Sequence, residues 1–258
     1  MSKDYKQPIL LTKIILLLII ALFSFEAHAV PKTPEEFSQW MMFYYLKPEP
    51  ASVTPAMKYA ISAHLLDDLK KSGPPVFGFI AGIVKNNPAL AGKLVTEFDS
   101  IDENQYSLFL IGIWYADLPN YQSQKLVSAA LARHPALKKP YPFLQQPPVD
   151  LLTVPAKNGP WVLDALWGNF MATGDSRPVI NIISVLPWID VSKKNEVLAM
   201  GKPGLYLVAT GGAANWSLTS NAKQHKRVLE ICESQISKQP EPIATQLRTI
   251  VHKAKLQK

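Results

Sequence analysis

The chain has 258 residues, with 27 Lys and Arg against 20 Asp and Glu, a formal net charge of +7 and a single cysteine, Cys232. That length supports one sizeable hydrophobic core. A lone cysteine excludes an internal disulfide framework, so packing alone must hold the fold.

Residues 1–13 carry Lys3, Lys6 and Lys13 against Asp4, and an apolar run over 14–23 follows. Ala27-His28-Ala29 then gives the small-x-small pattern that a signal peptidase cuts after. The run is far shorter than the roughly twenty residues a bilayer needs. The reading is a secretory signal over 1–29, cleaved after Ala29, and a single all-helical domain over 30–258, exported to the periplasm or beyond. The competing reading is an uncleaved inner-membrane anchor, because Ile9, Leu10 and Leu11 extend the apolar region across Lys13. Cleavage would remove three lysines and two acids, Asp4 and Glu26, leaving +6. From Lys223 onward eight Lys and Arg face Glu230, Glu233 and Glu241, so most of the excess is C-terminal. Lys253, Lys255 and Lys258 could touch anionic lipid, although such residues are usually a solvated helix face. Nucleic acid is not expected, since no basic-aromatic motif supports it.

Helices are easy to place along the mature chain, and strands are not. Thr33-Pro34-Glu35-Glu36 is a capping box with proline at the first helical position. Phe37, Trp40, Met41 and Tyr44 then recur at helical spacing until Lys47-Pro48. A second helix is predicted from Thr54-Pro55 to Ser72-Gly73, and a third from Pro74-Pro75. In the third, Gly78 and Gly82 lie four apart and invite close approach of another helix. Asn87-Pro88 starts a fourth. Residues 103–116 form a helix apolar on nearly every side, which belongs at the centre of a fold. A shorter helix over 121–133 ends at His134-Pro135.

Six prolines between Pro140 and Pro160 forbid regular helix. Phe143, Leu144, Val149, Leu151 and Leu152 are too apolar for a free linker, so residues 138–160 read as a strap between two helical halves. Beyond it, a helix closes at Gly174. Another is capped by Asp175 or Ser176 and runs over 179–186. The predicted remainder is 190–200, then 204–224 with a kink or split at Gly211-Gly212, then 226–239 and 243–255. The fold class is therefore all-α: about ten antiparallel helices, stacked as an α-solenoid-like array or an irregular bundle.

Three stretches carry a resemblance: Phe43-Tyr44-Tyr45-Leu46-Lys47-Pro48-Glu49-Pro50, the segment from Leu163 through Trp167 and Asn169 to Asp175, and the segment from Ala213 through Trp216 and His225 to Cys232. On these the chain resembles a group of exported bacterial helical proteins to which no named activity attaches. The resemblance implies an exported, helical protein and brings no catalytic residues.

Enzyme patterns give little. Ser220-Asn221-Ala222-Lys223 matches the Ser-x-x-Lys of penicillin-binding proteins and serine β-lactamases, but Lys-Thr-Gly and a mixed α/β fold are missing from the pattern. The histidines His64, His134, His225 and His252 have no ligand spacing, and no cofactor motif is present, so neither metal nor cofactor is expected. What remains are two aromatic-polar stretches. Trp167, Asn169 and Thr173 on one helix, and Trp216, Ser217, Asn221, Gln224 and His225 on another, could meet across a groove. One reading is a polar clasp in which Asn221 and His225 satisfy helix-end carbonyls. The other is a binding surface with tryptophan anchors. The expected function is a binding or scaffold protein of the bacterial cell envelope, taking another envelope protein or a small ligand. The rivals are an envelope hydrolase using Ser220 or a His225-centred site, and a peripheral membrane protein held by the basic C-terminal helix.

Overall fold

The structure, a computed structural model, describes residues 30–256; the signal expected at 1–29 and the basic Lys258 lie outside the described residues. Helix α1 (Pro34–Phe43) opens as its capping sequence dictates, with the Thr33 side chain accepting from the Glu36 N–H and Pro34 at the first position. A 3-10 turn, Tyr44–Leu46, follows. Helix α2 (Pro50–Ser62) begins a turn before Thr54-Pro55, because Pro50 takes the first position with its preset φ and Pro55 falls inside. It also stops well short of Ser72, and His64 turns the chain with a left-handed φ of 59°.

Helix α3 (Leu69–Asn86) starts before the predicted Pro74-Pro75, at an Asp68 cap that accepts from the Lys70 N–H. Two prolines inside a helix forfeit two backbone bonds. Burial of nearly every residue over 73–84 offsets that loss. Helix α4 (Ala89–Glu97) leads to α5 (Glu103–Ala116), whose Asp102 cap accepts from the Asn104 and Gln105 N–H groups. The unbroken burial of α5 from Tyr106 to Trp114 is what an all-round apolar helix requires. Helix α6 (Gln122–Arg133) closes this half.

The proline-rich segment lies down as four 3-10 turns, Pro135–Lys138, Pro142–Gln145, Leu151–Thr153 and Ala156–Asn158. Leu137, Leu144 and Leu151 each enter the core at about 2% exposure or less. The Trp114 indole N–H donates to the Gln146 carbonyl at 3.0 Å, Lys85 pairs with Asp150 at 2.6 Å, and the Asn181 amide donates to the Val154 carbonyl at 3.0 Å. The segment is thus fastened down and not free.

Helix α7 (Pro160–Thr173) ends at Gly174, whose φ of 65° suits glycine. Helix α8 (Ser176–Ile183) starts earlier than 179 because Asp175 caps it. The helix predicted over 190–200 is shortened: Asp190 is extended and its carboxylate accepts from the Ser192 N–H, so 3-10 turns Leu186–Ile189 and Val191–Lys193 precede α9 (Lys194–Met200). Helix α10 (Lys202–Gln224) runs without a break through Gly211-Gly212, where Gly211 lets it close on Val185, Trp188 and Ile189. Helices α11 (Lys226–Ile236) and α12 (Ile243–Lys255) complete the chain.

The fold is all-α, with twelve α-helices and no strand among the described residues. Residues from Pro31 onward form one compact unit. Its centre is α3, which packs most extensively on α7 and α5. Gly78 faces the Ala165 backbone, Gly168 faces the Pro75 carbonyl, and Gly82 faces Ala172 and Thr173. These glycines bring the backbones of α3 and α7 together, and side chains at the ends of this seam define the site.

Candidate functional site

The candidate site is a cleft at the junction of α10 and α11. Helix α10 ends because His225 leaves helical geometry, at φ −116° and ψ 108°, and α11 resumes one residue later. His225 is 1% exposed. Its ring centroid lies 4.8 Å from that of Phe43, 5.8 Å from Tyr45 and 5.9 Å from Phe170. Nδ1 sits 3.3 Å from the Tyr45 hydroxyl, while the buried Nε2 has no partner among the described residues. Burial pushes the imidazole pKa below its usual 6.5, which keeps the ring neutral at pH 7. Burial also raises the Tyr45 phenol, with Arg227 pulling it down and Glu230 pushing it up.

The cleft has a volume of about 520 Å³. One side is Phe43, Tyr45 and Leu46 from the end of α1 and its 3-10 turn; a second is Thr173 and Gly174 at the end of α7. The third runs from Gln224 and His225 to Lys226, Arg227 and Glu230 on the first turns of α11. Lys226 and Arg227 approach Glu230 only loosely, at 3.7 and 3.8 Å, leaving two cations against one carboxylate. No side chain caps α11, and the Lys226 and Arg227 amides have no acceptor among the described residues.

Of the residues singled out in the sequence, Thr173, Gln224 and His225 come together here. Trp167 and Asn169 do not line the cleft. Both are buried, with the Trp167 indole N–H unpartnered among the described residues and the Asn169 amide 3.5 Å from the Gly78 carbonyl. Trp216, Ser217 and Asn221 lie along α10. Trp216 is 74% exposed, Ser217 Oγ donates to the Ala214 carbonyl, and the Asn221 amide donates to the Ser217 carbonyl. The clasp that holds His225 is therefore a tyrosine hydroxyl from the other end of the chain. Asn221 contributes its own carbonyl, which accepts the His225 N–H at 2.8 Å. Phe43, Tyr45, Leu46, Lys226 and Arg227 fall within the stretches that carry the resemblance but were not among the expected site residues. The sequence signal for them was present: three consecutive aromatics at a helix stop, and a basic pair directly after a helix-ending histidine.

Ser220 Oγ lies 3.2 Å from the Gln224 amide nitrogen, a group that cannot take up a proton. Cys232 is fully buried on α11 and its thiol is pushed up to about 12, so it packs as an apolar group. His134 and Arg133 share Asp99 with Tyr106, and His64 pairs with Asp67 at 3.0 Å. A second cleft of about 810 Å³ includes Asp67, Asp68 and Asp102, but Asp68 and Asp102 are spent as helix caps and Asp67 binds Gln105 and His64. Among the described residues no three His, Cys, Asp or Glu side chains are grouped to hold a metal ion. No helix among them is long and apolar enough to cross a membrane. Of the C-terminal lysines, Lys255 pairs with Glu233 at 2.6 Å and Lys253 is exposed. No family model, no curated protein and no solved structure matches the chain.

Proposed function

We propose that this chain is an exported helical binding or scaffold protein of the bacterial cell envelope, engaging its ligand or partner at the His225 cleft. The observation that carries the reading is the buried, unpartnered Nε2 of His225 beside an open, aromatic-walled space. A buried polar atom without a partner costs stability, and its retention is accounted for when a bound group completes it. Export rests on the basic, apolar and small-x-small pattern over 1–29. Binding is favoured over hydrolysis because the groups beside Ser220 Oγ and His225 Nδ1 are an amide and a phenol, which do not make a nucleophile–base–orienter chain.

The test is a crosslinking pull-down from the native envelope with the wild-type chain, Arg227→Glu and Ser220→Ala. The expected result is a captured species that Arg227→Glu loses and Ser220→Ala keeps. An ester- or amide-cleaving activity that disappears in a folded Ser220→Ala would replace this reading with the hydrolase.

A further inference from the structure

We infer that the His225 cleft takes a small organic anion, a carboxylate or phosphate monoester on an apolar body, with its charged group at the first turn of α11. This rests on the cleft being a binding site and names what it binds. Two independent features point the same way. The first is the start of α11, an eleven-residue helix with no side-chain cap, whose Lys226 and Arg227 N–H groups lack acceptors among the described residues. Such a terminus carries partial positive charge and donors aimed outward along the axis. The second is His225, 1% exposed, lining the same cleft with Nε2 unpartnered.

The hydrogen-bond chain sets what that nitrogen offers. The Tyr45 hydroxyl lies 3.3 Å from Nδ1, and in the tautomer in which that O–H donates to Nδ1 the neutral imidazole carries its hydrogen on Nε2, a donor. Two backbone N–H groups, one imidazole N–H and the Lys226 and Arg227 side chains then suit oxygens that carry negative charge. Glu230 opposes them, but its loose pairs leave the lining net positive. Phe43 and Leu46 present to the same space apolar surface that gives a bare inorganic ion nothing, and the Tyr45 hydroxyl is engaged by His225. They favour an anion that brings apolar surface of its own.

The experiment uses the full chain and follows backbone amides and histidine ring nitrogens by NMR during titration with phenyl phosphate, inorganic phosphate and benzyl alcohol. The expected result is saturable movement of the Lys226 and Arg227 amides and of His225 Nε2 with phenyl phosphate. Arg227→Gln, a substitution at a half-exposed side chain, should weaken that binding about tenfold. Benzyl alcohol should bind at least about tenfold more weakly than phenyl phosphate. Inorganic phosphate binding as well as phenyl phosphate would overturn the apolar-body part. Equal binding of benzyl alcohol, unaffected by Arg227→Gln, would overturn the anion and leave the cleft a binding site of another kind. Silence at the first turn of α11 with all three, while a crosslinked species is still lost in Arg227→Glu, would overturn the inference alone. Silence together with no crosslinked species would overturn both readings.

Discussion

Helix α7 contributes polar side chains to two places one turn apart, and they meet opposite fates. At Asn169 the glycines Gly78 and Gly168 let α3 and α7 touch backbone to backbone, and the amide is sealed in at 6% exposure. At Thr173 the helix is ending, Gly174 turns the chain in left-handed geometry, and the α10–α11 junction stands off to leave a cleft. Thr173 Oγ1 is itself satisfied, donating to the Asn169 carbonyl and accepting from the Asp175 N–H. Residue type does not separate the two places. Backbone approach does: where small residues allow contact, a polar group becomes part of the core, and where three helix ends converge, a space stays open.

Phe170 joins the two regions, packing on Tyr45 at 5.0 Å and standing edge-on to Trp167 and His225. It is fully buried, so Phe170→Ala should cost about 3–5 kcal/mol in urea denaturation. It should also displace the His225 ring signals. A loss confined to stability would break the link between core and cleft.

The seam itself is sharpened by a pair of glycines. A methyl at Gly168 would overlap the Pro75 carbonyl oxygen, so Gly168→Ala should cost about 3 kcal/mol by forcing α3 and α7 apart. Gly212 on α10 has open space beside it, and Gly212→Ala should stabilise by about 1 kcal/mol through helix propensity. Equal effects of the two would mean that the seam is not backbone contact.

His225 supplies the pH test. Its folded pKa is depressed below 6.5 by burial, so between the folded value and 6.5 the unfolded chain binds more protons. Its stability contribution is therefore full above pH 6.5 and is lost progressively as pH falls through that window. The denaturation midpoint of the wild-type chain should drop with acidification there more steeply than that of His225→Gln. Parallel curves would place the ring in contact with water.

Trp216 gives the smallest expected effect. At 74% exposure with its indole outside the cleft, Trp216→Ala should change stability by less than about 0.5 kcal/mol.

Much of the fold was legible because its signals are local. The Thr33 cap, the Gly174 stop and the bounds of α5 each depend on a few adjacent residues. The start of α3 was not legible, because the local Asp68 cap is followed by Pro74-Pro75, and only tertiary burial shows that the helix runs through them. The two tryptophans show why the site was half readable. Trp167 and Trp216 sit in similar aromatic-polar sequence, yet one is 5% and the other 74% exposed. Helix α10 is rich in small residues around Gly211-Gly212, so periodicity marks no apolar face by which to orient Trp216. His225 was legible as part of a polar helical stripe, but its place outside both helices at their junction, and its pairing with Tyr45 180 residues earlier, are created only by the fold.

The most direct test places a photoreactive benzophenone side chain at Leu46, on the rim of the cleft, and separately at Trp216, both well exposed. After irradiation in the native envelope, the account expects a discrete adduct from Leu46, suppressed by phenyl phosphate, and none from Trp216. Adducts from Trp216 with none from Leu46 would contradict it, moving the working surface from the His225 cleft to the outer face of α10.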